Sequence, residues 1–186
     1  MADVSVRLAR LGDVEAMAAL QQLSWESARG LFGDTVAMPD ATTVARAWER
    51  AVMLPPTARH TVWVATAATT VVGLAAMAPG ADPDLDPEVA TELLLLTIDP
   101  RHLRQGHGSR LLAATMDSLI DIQQSTAVTW VAAQDDGSRQ FLERAGWGVD
   151  GAHRSLAPHD EAPLTDHIRQ LRLGTDLTPA DQQDDR

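Results

Sequence analysis

The sequence predicts an α/β fold, and three observations carry that prediction. From Glu92 to Leu112 the chain passes from a leucine-rich run ending at Asp99-Pro100, through a turn containing Gly106 and Gly108, into a helix start. Two β-branched runs, residues 60–66 and 69–78, stand before it with a tight turn near Ala67-Ala68, which reads as a hairpin. Apolar residues at helical spacing precede the hairpin and follow the glycine turn. With 186 residues, 45% of them apolar, one domain with a buried core is expected.

In chain order, Val4-Ser5-Val6-Arg7 opens as a strand. Asp13 can cap a helix carrying Val14, Met17, Ala18 and Leu20 to about Trp25, and a second helical piece follows to Phe32, where Gly33 stops it. A third helix is expected from Asp40 to about Met53, with Val44, Ala47, Trp48 and Ala51 on one face and Pro55-Pro56 at its end. After the hairpin, residues 91–98 form a central strand. Its four consecutive leucines lack alternation, so both faces should be covered. Residues 109–122 fit an amphipathic helix, 127–133 a strand, 137–144 a short helix, and two last strands fall near 148–156 and 166–173. Residues 1–173 are thus expected to form the single domain. From Gly174 the composition turns to Thr, Asp, Gln and Pro, so residues 174–186 are expected to be a disordered tail.

The net charge of -11 argues against nonspecific nucleic-acid binding and favours a cationic small molecule or peptide, with plain solubility as the competing explanation. No apolar run approaches the ~18 residues of a membrane span and no leader opens the chain, so neither membrane nor secretion is expected and cytoplasm is the default. The absence of cysteine excludes disulfides, thiolate metal sites and a cysteine nucleophile. Lysine, asparagine and tyrosine are also absent. Their codons are rich in A and T, so a GC-rich coding sequence accounts for all three.

The turn at residues 104–109 has the makings of an anion site. Glycines let the backbone approach a ligand, and the first N–H groups of the following helix have no intrahelical partner. A P-loop is excluded, because Gly108 is followed by Ser109-Arg110 and the chain has no lysine. A Rossmann fingerprint would need a third glycine where Leu111 stands.

The flanks resemble the cofactor motif of the GNAT N-acetyltransferase superfamily, in which a strand Glu-Leu-x-x-Leu-x-Val-x-Pro precedes a loop Gln/Arg-x-x-Gly-x-Gly/Ala. Glu92, Leu93, Leu96, Ile98, Pro100, Gly106 and Gly108 fall on it in register; Leu103 occupies the Gln/Arg place. A second stretch, Asp135 to Trp147, is similar to the family's Asn-x-x-Ala-x-x-Phe-Tyr-Glu-x-x-Gly-Phe/Trp at Phe141, Glu143, Gly146 and Trp147. Leu142 stands at the tyrosine, and Asp135 or Asp136 at the asparagine. The likeness runs from residue 3 to about 173.

This resemblance implies a GNAT fold: a twisted, mixed and mostly antiparallel sheet of about six to seven strands flanked by helices, its fourth and fifth strands splayed apart. It implies acetyl-CoA as cosubstrate without a metal, and direct acetyl transfer to an amine in a ternary complex. The pantetheine arm would lie beside Leu96, Thr97 and Ile98, with an N–H near Leu96 for the oxyanion. The pyrophosphate would sit on Arg104, Gln105, Gly106, His107, Gly108 and Ser109, with Arg101 or Arg104 as candidates for the 3'-phosphate. By the same resemblance Glu92 falls where some relatives carry the general base; the competing explanation is an acid at the solvent-facing start of its strand. Trp25 and Phe32 fall in the segment that shapes the acceptor pocket. Leu142 cannot protonate a leaving thiolate, which leaves Ser138, His107, His153 or solvent. A small-molecule or peptide amine is the expected acceptor, and a homodimer stays open. Two other functions remain: a noncatalytic acyl-CoA-binding regulatory domain, suggested by Leu103 and Leu142, and a plain interaction domain.

Three further patterns carry less. Residues 82–88, Asp-Pro-Asp-Leu-Asp-Pro-Glu, open like an EF-hand loop, but Pro87 replaces the glycine and Leu93 the final glutamate. A solvated loop or an acidic lip that attracts a cation is left. The six histidines show no metal-ligand spacing. The five tryptophans are most simply core residues.

Overall fold

The strands and helices form where apolar periodicity and punctuation agree. The structure, a computed structural model, describes residues 4–32, 39–157 and 167–177. Strand β1 is Val4–Leu8, followed by a 3₁₀ turn at Leu11–Asp13, helix α1 at Val14–Phe32 and helix α2 at Ala41–Met53. Then come β2 (Thr61–Ala67), β3 (Thr70–Pro79) and β4 (Ala90–Ile98). After a 3₁₀ turn at Pro100–His102 follow α3 (His107–Asp121), β5 (Thr126–Ala132), α4 (Asp136–Arg144), β6 (Gly148–Leu156) and β7 (Ile168–Asp176).

Several boundaries have visible causes. Asp40 caps α2 by accepting from the Thr43 backbone N–H at 3.0 Å, and Asp135 caps α4 by accepting from that of Ser138 at 3.0 Å. Asp13 plays a different part from the expected cap. Its carboxylate takes Arg7 of β1 in a two-pronged pair at 2.7 and 2.8 Å, which fastens the start of α1 to the first strand and holds Asp13 below the usual carboxylate range.

Two expectations need correction. The two helical pieces expected on either side of Trp25 are one helix, since Glu26-Ser27-Ala28-Arg29 contains no breaker. The stop expected at Gly33 and the Phe32 side chain lie outside what the structure describes. The last strand also runs past residue 173: Gly174, Thr175 and Asp176 pair with Val128, Ala127 and Thr126, and Leu177 is buried.

The seven strands form one mixed sheet in the order β1-β2-β3-β4-β5-β7-β6, with β4 and β5 parallel and all other neighbours antiparallel. This is the splayed, mostly antiparallel sheet that the resemblance implied. One face packs against α3 and α4 through Leu111, Leu119, Leu142 and Trp147, together with Leu93 and Leu173 of the sheet. The other face packs against α1 and α2 through Met17, Leu20, Val44 and Trp48, over Val64 and Leu74. No helix among the described residues is long and apolar enough to cross a membrane.

Candidate active site

The splay begins where β4 and β5 stop pairing. Only three pairs join them, Ala90 with Thr126, Thr91 with Ala127 and Glu92 with Val128. At the next step the Thr129 hydroxyl donates to the Leu93 carbonyl at 2.8 Å, in place of a ladder bond. Beyond it the strands part around a cleft of about 180 Å³, lined by Leu93 to Leu96 on one side, Thr129 to Val131 on the other, and Asp135, Ser138, Phe141 and Leu142 from the α4 segment.

A β-bulge in β4 sits at the same place. Met77 pairs with Leu93 and Ala76 with Leu95, so Leu94 is the extra residue, and it is 57% exposed. The expectation that both faces of the leucine run are covered therefore holds only for its beginning. The bulge and the splay open Leu94 towards the cleft wall. Of the residues expected beside a pantetheine arm, Leu96 lines the cleft. Thr97 and Ile98 continue the strand towards the turn, with Ile98 packed in the core cluster under α3.

The turn after β4 presents its amides. Arg104 and Gly106 adopt left-handed conformations, with φ of 58° and 81°, and α3 starts at His107 with Gly106 as its cap. Among the described residues, no acceptor is bonded to the backbone N–H groups of residues 104–109; the first paired amide is that of Arg110, donating to the Gly106 carbonyl at 3.1 Å. Consecutive free amides in left-handed geometry at a helix N-terminus make an anion-binding concavity. Its far side meets the cleft, since Phe141 lies 3.5 Å from where a Gly108 Cβ would stand.

The two candidate arginines behave differently. Arg101 is clamped to Asp99 by bonds of 3.0 and 2.6 Å, which pull the Asp99 carboxyl down to about 2. Arg104 is exposed and has no partner among the described residues. His107 is 3% exposed with its Nδ1 unpartnered, and burial, then His102 and Arg110, push its pKa below the usual histidine value. His102 stands edge-on to it, ring centres 6.1 Å apart.

Glu92 is 7% exposed, and among the described residues no hydrogen bond reaches its carboxylate. This is no acid at a solvated strand start. Burial raises its pKa, opposed by the charge of Arg154 and assisted by that of Asp82. Pleating places the neighbours: Glu92 pairs with Val128, Trp130 is two residues further along β5, Trp130 pairs with Arg172 of β7, and Arg154 of β6 pairs with Gln170. All share one sheet face, the one towards α1 and α2.

That face carries a network that local sequence signals did not reveal. Arg172, almost fully buried, binds Asp150 at 2.6 Å, Asp84 at 2.8 and 2.5 Å and Asp82 at 3.4 Å. Asp82 also accepts from the Trp130 indole at 3.1 Å. The 82–88 segment is thus latched to β7 through Asp82 and Asp84 instead of being freely solvated. Trp48 and Trp147 are core residues as expected, but Trp130 lines the cleft and carries the Arg154 guanidinium 4.4 Å above its ring.

For the proton donor, Ser138 lines the cleft and its hydroxyl donates to Asp135 at 2.6 Å. Leu142 fills its place as a buried core side chain. His153 is exposed on β6, two strands beyond β5. No three histidine, aspartate or glutamate side chains among the described residues are grouped to hold a metal ion.

The model of the acetyltransferase (GNAT) family matches residues 17–147. Among solved structures, the fold is similar to an N-acetyltransferase from Staphylococcus aureus Mu50, with a TM-score of 0.72 and 14% identity over 95% of this chain and 99% of that one. It is also similar to a ribosomal-protein-alanine N-acetyltransferase from Brucella melitensis (TM-score 0.71, 17% identity, 92% and 99% covered). A third, PaiA N-acetyltransferase from Thermoplasma acidophilum in complex with coenzyme A, has a TM-score of 0.69 at 13% identity, with 94% and 99% covered. At these identities the likeness is one of fold. No curated protein matches the sequence.

Proposed function

The chain belongs to the acetyltransferase (GNAT) family, and on that premise we propose that it moves an acetyl group from acetyl-CoA to an amine by direct attack in a ternary complex. The observation that carries this is the continuity between the β4–β5 cleft and the free amides of residues 104–109. An elongated thioester joined to a pyrophosphate matches both: a cleft lined by Leu93 to Leu96 together with polar Thr129 and Ser138, and donors for phosphate oxygens that have no acceptor among the described residues. The PaiA structure, which holds coenzyme A, agrees with that choice.

The residues that would hold the cosubstrate are Leu96, Thr97 and Ile98 along the strand, and Arg104, Gln105, Gly106, His107, Gly108 and Ser109 at the helix start. Arg104, which has no partner among the described residues, is better placed to take the 3'-phosphate than Arg101, which Asp99 already occupies. When bound, acetyl-CoA supplies an activated acetyl group on a thiol leaving group.

Glu92 accepts the proton of the attacking amine. A buried carboxylate with a raised pKa is a better base for this purpose than an exposed one. Beyond Glu92 no β5 residue pairs with β4, so N–H groups near Leu96 on the β5 side are free to donate to the carbonyl oxygen as charge develops. Solvent returns a proton to the thiolate, whose ordinary pKa near 8.5 makes strong acid assistance unnecessary; the Ser138 hydroxyl is already donated to Asp135.

One observation favours a second function. Leu142 fills the place of the family's tyrosine and is buried, as a noncatalytic acyl-CoA-binding domain would allow. Thiol release from acetyl-CoA across a panel of amines separates the two. Turnover on any acceptor supports transfer; a cofactor-dependent rise in melting temperature without turnover supports the binding domain. Neither response would refute both.

A further inference from the structure

The anion turn carries an ionisable side chain that the proposed transfer does not use. His107 stands between Gly106 and Gly108, its backbone N–H belongs to the unbonded set of residues 104–109, and its ring is buried. Among the described residues, the Nδ1 of that ring has no hydrogen-bond partner. Unsatisfied buried polar atoms are costly, and they are rare outside places that store strain or serve a ligand.

Proximity is fixed here by covalent structure. The imidazole hangs from the same short backbone whose amides would hold phosphate oxygens, so its distance from a bound phosphate is set by the length of one side chain. That is comparable with the ~8 Å Debye length of physiological salt, and a buried ring is screened less than an exposed one.

The charged groups around the ring have one sign. His102 of the preceding 3₁₀ turn stands edge-on with ring centres 6.1 Å apart, and Arg110, one turn along α3, folds back to donate to the Gln105 carbonyl at 3.2 Å. The Asp99 carboxylate is taken by Arg101 and lies 3.8 Å from Nδ1 of His102, too far for a hydrogen bond. The strands under α3 add no charge. Arg7 of β1 is paired with Asp13, Glu92 of β4 is on the opposite face, and the side chains beneath the helix include Val6, Ala65, Val72 and Ile98. From α4 it is Phe141 that comes up to Gly108, while Asp135 holds Ser138 and Arg139 pairs with Asp136 and Glu143. Burial and these two cationic neighbours keep His107 neutral, below the ordinary histidine range. A pyrophosphate brings the opposite charge, which favours the imidazolium.

We propose that this turn is a proton-linked phosphate site: His107 takes a proton from solvent when a pyrophosphate diester settles on the amides of residues 104–109, and affinity rises as pH falls. It rests on the cofactor assignment made above and adds its regulation by pH. Two imidazolium rings this close repel, so the pair admits one proton and His102 sets the pH at which His107 accepts it.

Dephospho-CoA is the probe, since its pyrophosphate diester does not titrate near neutral pH, whereas the 3'-phosphate of coenzyme A titrates near pH 6 itself. Calorimetric titrations from pH 5.5 to 7.5, in buffers of different ionisation enthalpy, count the protons. About half a proton should be taken up per ligand near pH 6.5, with Kd lower by roughly five- to tenfold at pH 5.5 than at pH 7.5. His107→Gln should abolish the uptake and leave Kd flat with pH, near its wild-type value at pH 7.5, because the amides are unaltered. His102→Gln keeps His107 and removes the like charge, so the uptake should persist with its maximum moved to higher pH. Binding without proton uptake, or uptake that survives in His107→Gln, overturns the proposal and leaves the cofactor assignment standing. A maximum that stays put in His102→Gln overturns it equally, whether or not His107→Gln folds. No binding of dephospho-CoA or coenzyme A at any pH overturns both.

Discussion

Replacing Arg172 by methionine keeps an unbranched stem of similar reach and removes every bond that ties the 82–88 segment to β7. The guanidinium side chain is 7% exposed and serves Asp82, Asp84 and Asp150, whose side chains are 19, 59 and 33% exposed. Breaking a buried ion pair by removing one partner costs roughly 3–5 kcal/mol. Because two of the three carboxylates keep contact with water, the low end applies, about 3 kcal/mol at neutral pH. In a domain of this size that lowers the melting temperature by about 6–12 °C, measurable by thermal unfolding with urea titration as a check. The pH dependence has a definite sign. Arg172 holds the Asp84 carboxyl below its ordinary value, so this contribution is present above about pH 4 and disappears as pH falls through the depressed value. The gap between wild type and Arg172→Met should therefore narrow in acid. Asp150→Asn should also cost much less in the Arg172→Met background than in the wild type, because the two share one pair. A loss under about 1 kcal/mol at pH 7, or a gap that persists unchanged into strong acid, would refute the latch as a stabilising device.

Glu92→Gln should lower turnover by about 100-fold or more, the scale of general-base assistance, and flatten its pH profile. Because burial raises the folded pKa, ionising Glu92 costs stability as pH rises. The Gln variant should then melt higher than wild type at pH 8, with the advantage fading near pH 4; unchanged turnover across pH removes Glu92 from the base role. Ser109→Asp puts a negative charge in the first turn of α3, where it should stabilise the ligand-free protein by about 0.3–1 kcal/mol. The same change should weaken acetyl-CoA binding roughly tenfold, more at low salt, so melting curves with and without cofactor should move in opposite directions. A chain ending at Leu173 should be about 3 kcal/mol less stable in urea than one ending at Leu177, since it loses three β5 pairings and a buried leucine.

Most of the fold was legible because its signals are local. Helix α2 needs only Asp40 as cap and Val44 and Trp48 on one face, and the hairpin needs only β-branched runs around Ala68. The turn at residues 104–109 was equally legible, since Gly106 takes a conformation that side chains resist. Errors arose where a distant contact overrides local preference. The composition after residue 173 reads as a tail, but pairing with β5 keeps Gly174 to Asp176 in the sheet. The leucine run of β4 reads as doubly buried, but the bulge at Leu94 and the departure of β5 expose its middle.

The sequence by itself determined the α/β class, the order of the elements, the anion-binding turn and Glu92 as the acid worth testing. These depend on residues within a few positions of each other, whose spacing sets helix faces, caps and turn geometry. Tertiary structure alone decided what surrounds Glu92. Asp82 reaches in from the loop between β3 and β4 to bond Trp130 and Arg172, while Trp130, Arg172 and Arg154 come from three separate strands and share the face of Glu92 because register across β4, β5, β7 and β6 turns them to it. Register is a long-range property: a slip of one residue would send each of these three strand side chains to the other side of the sheet.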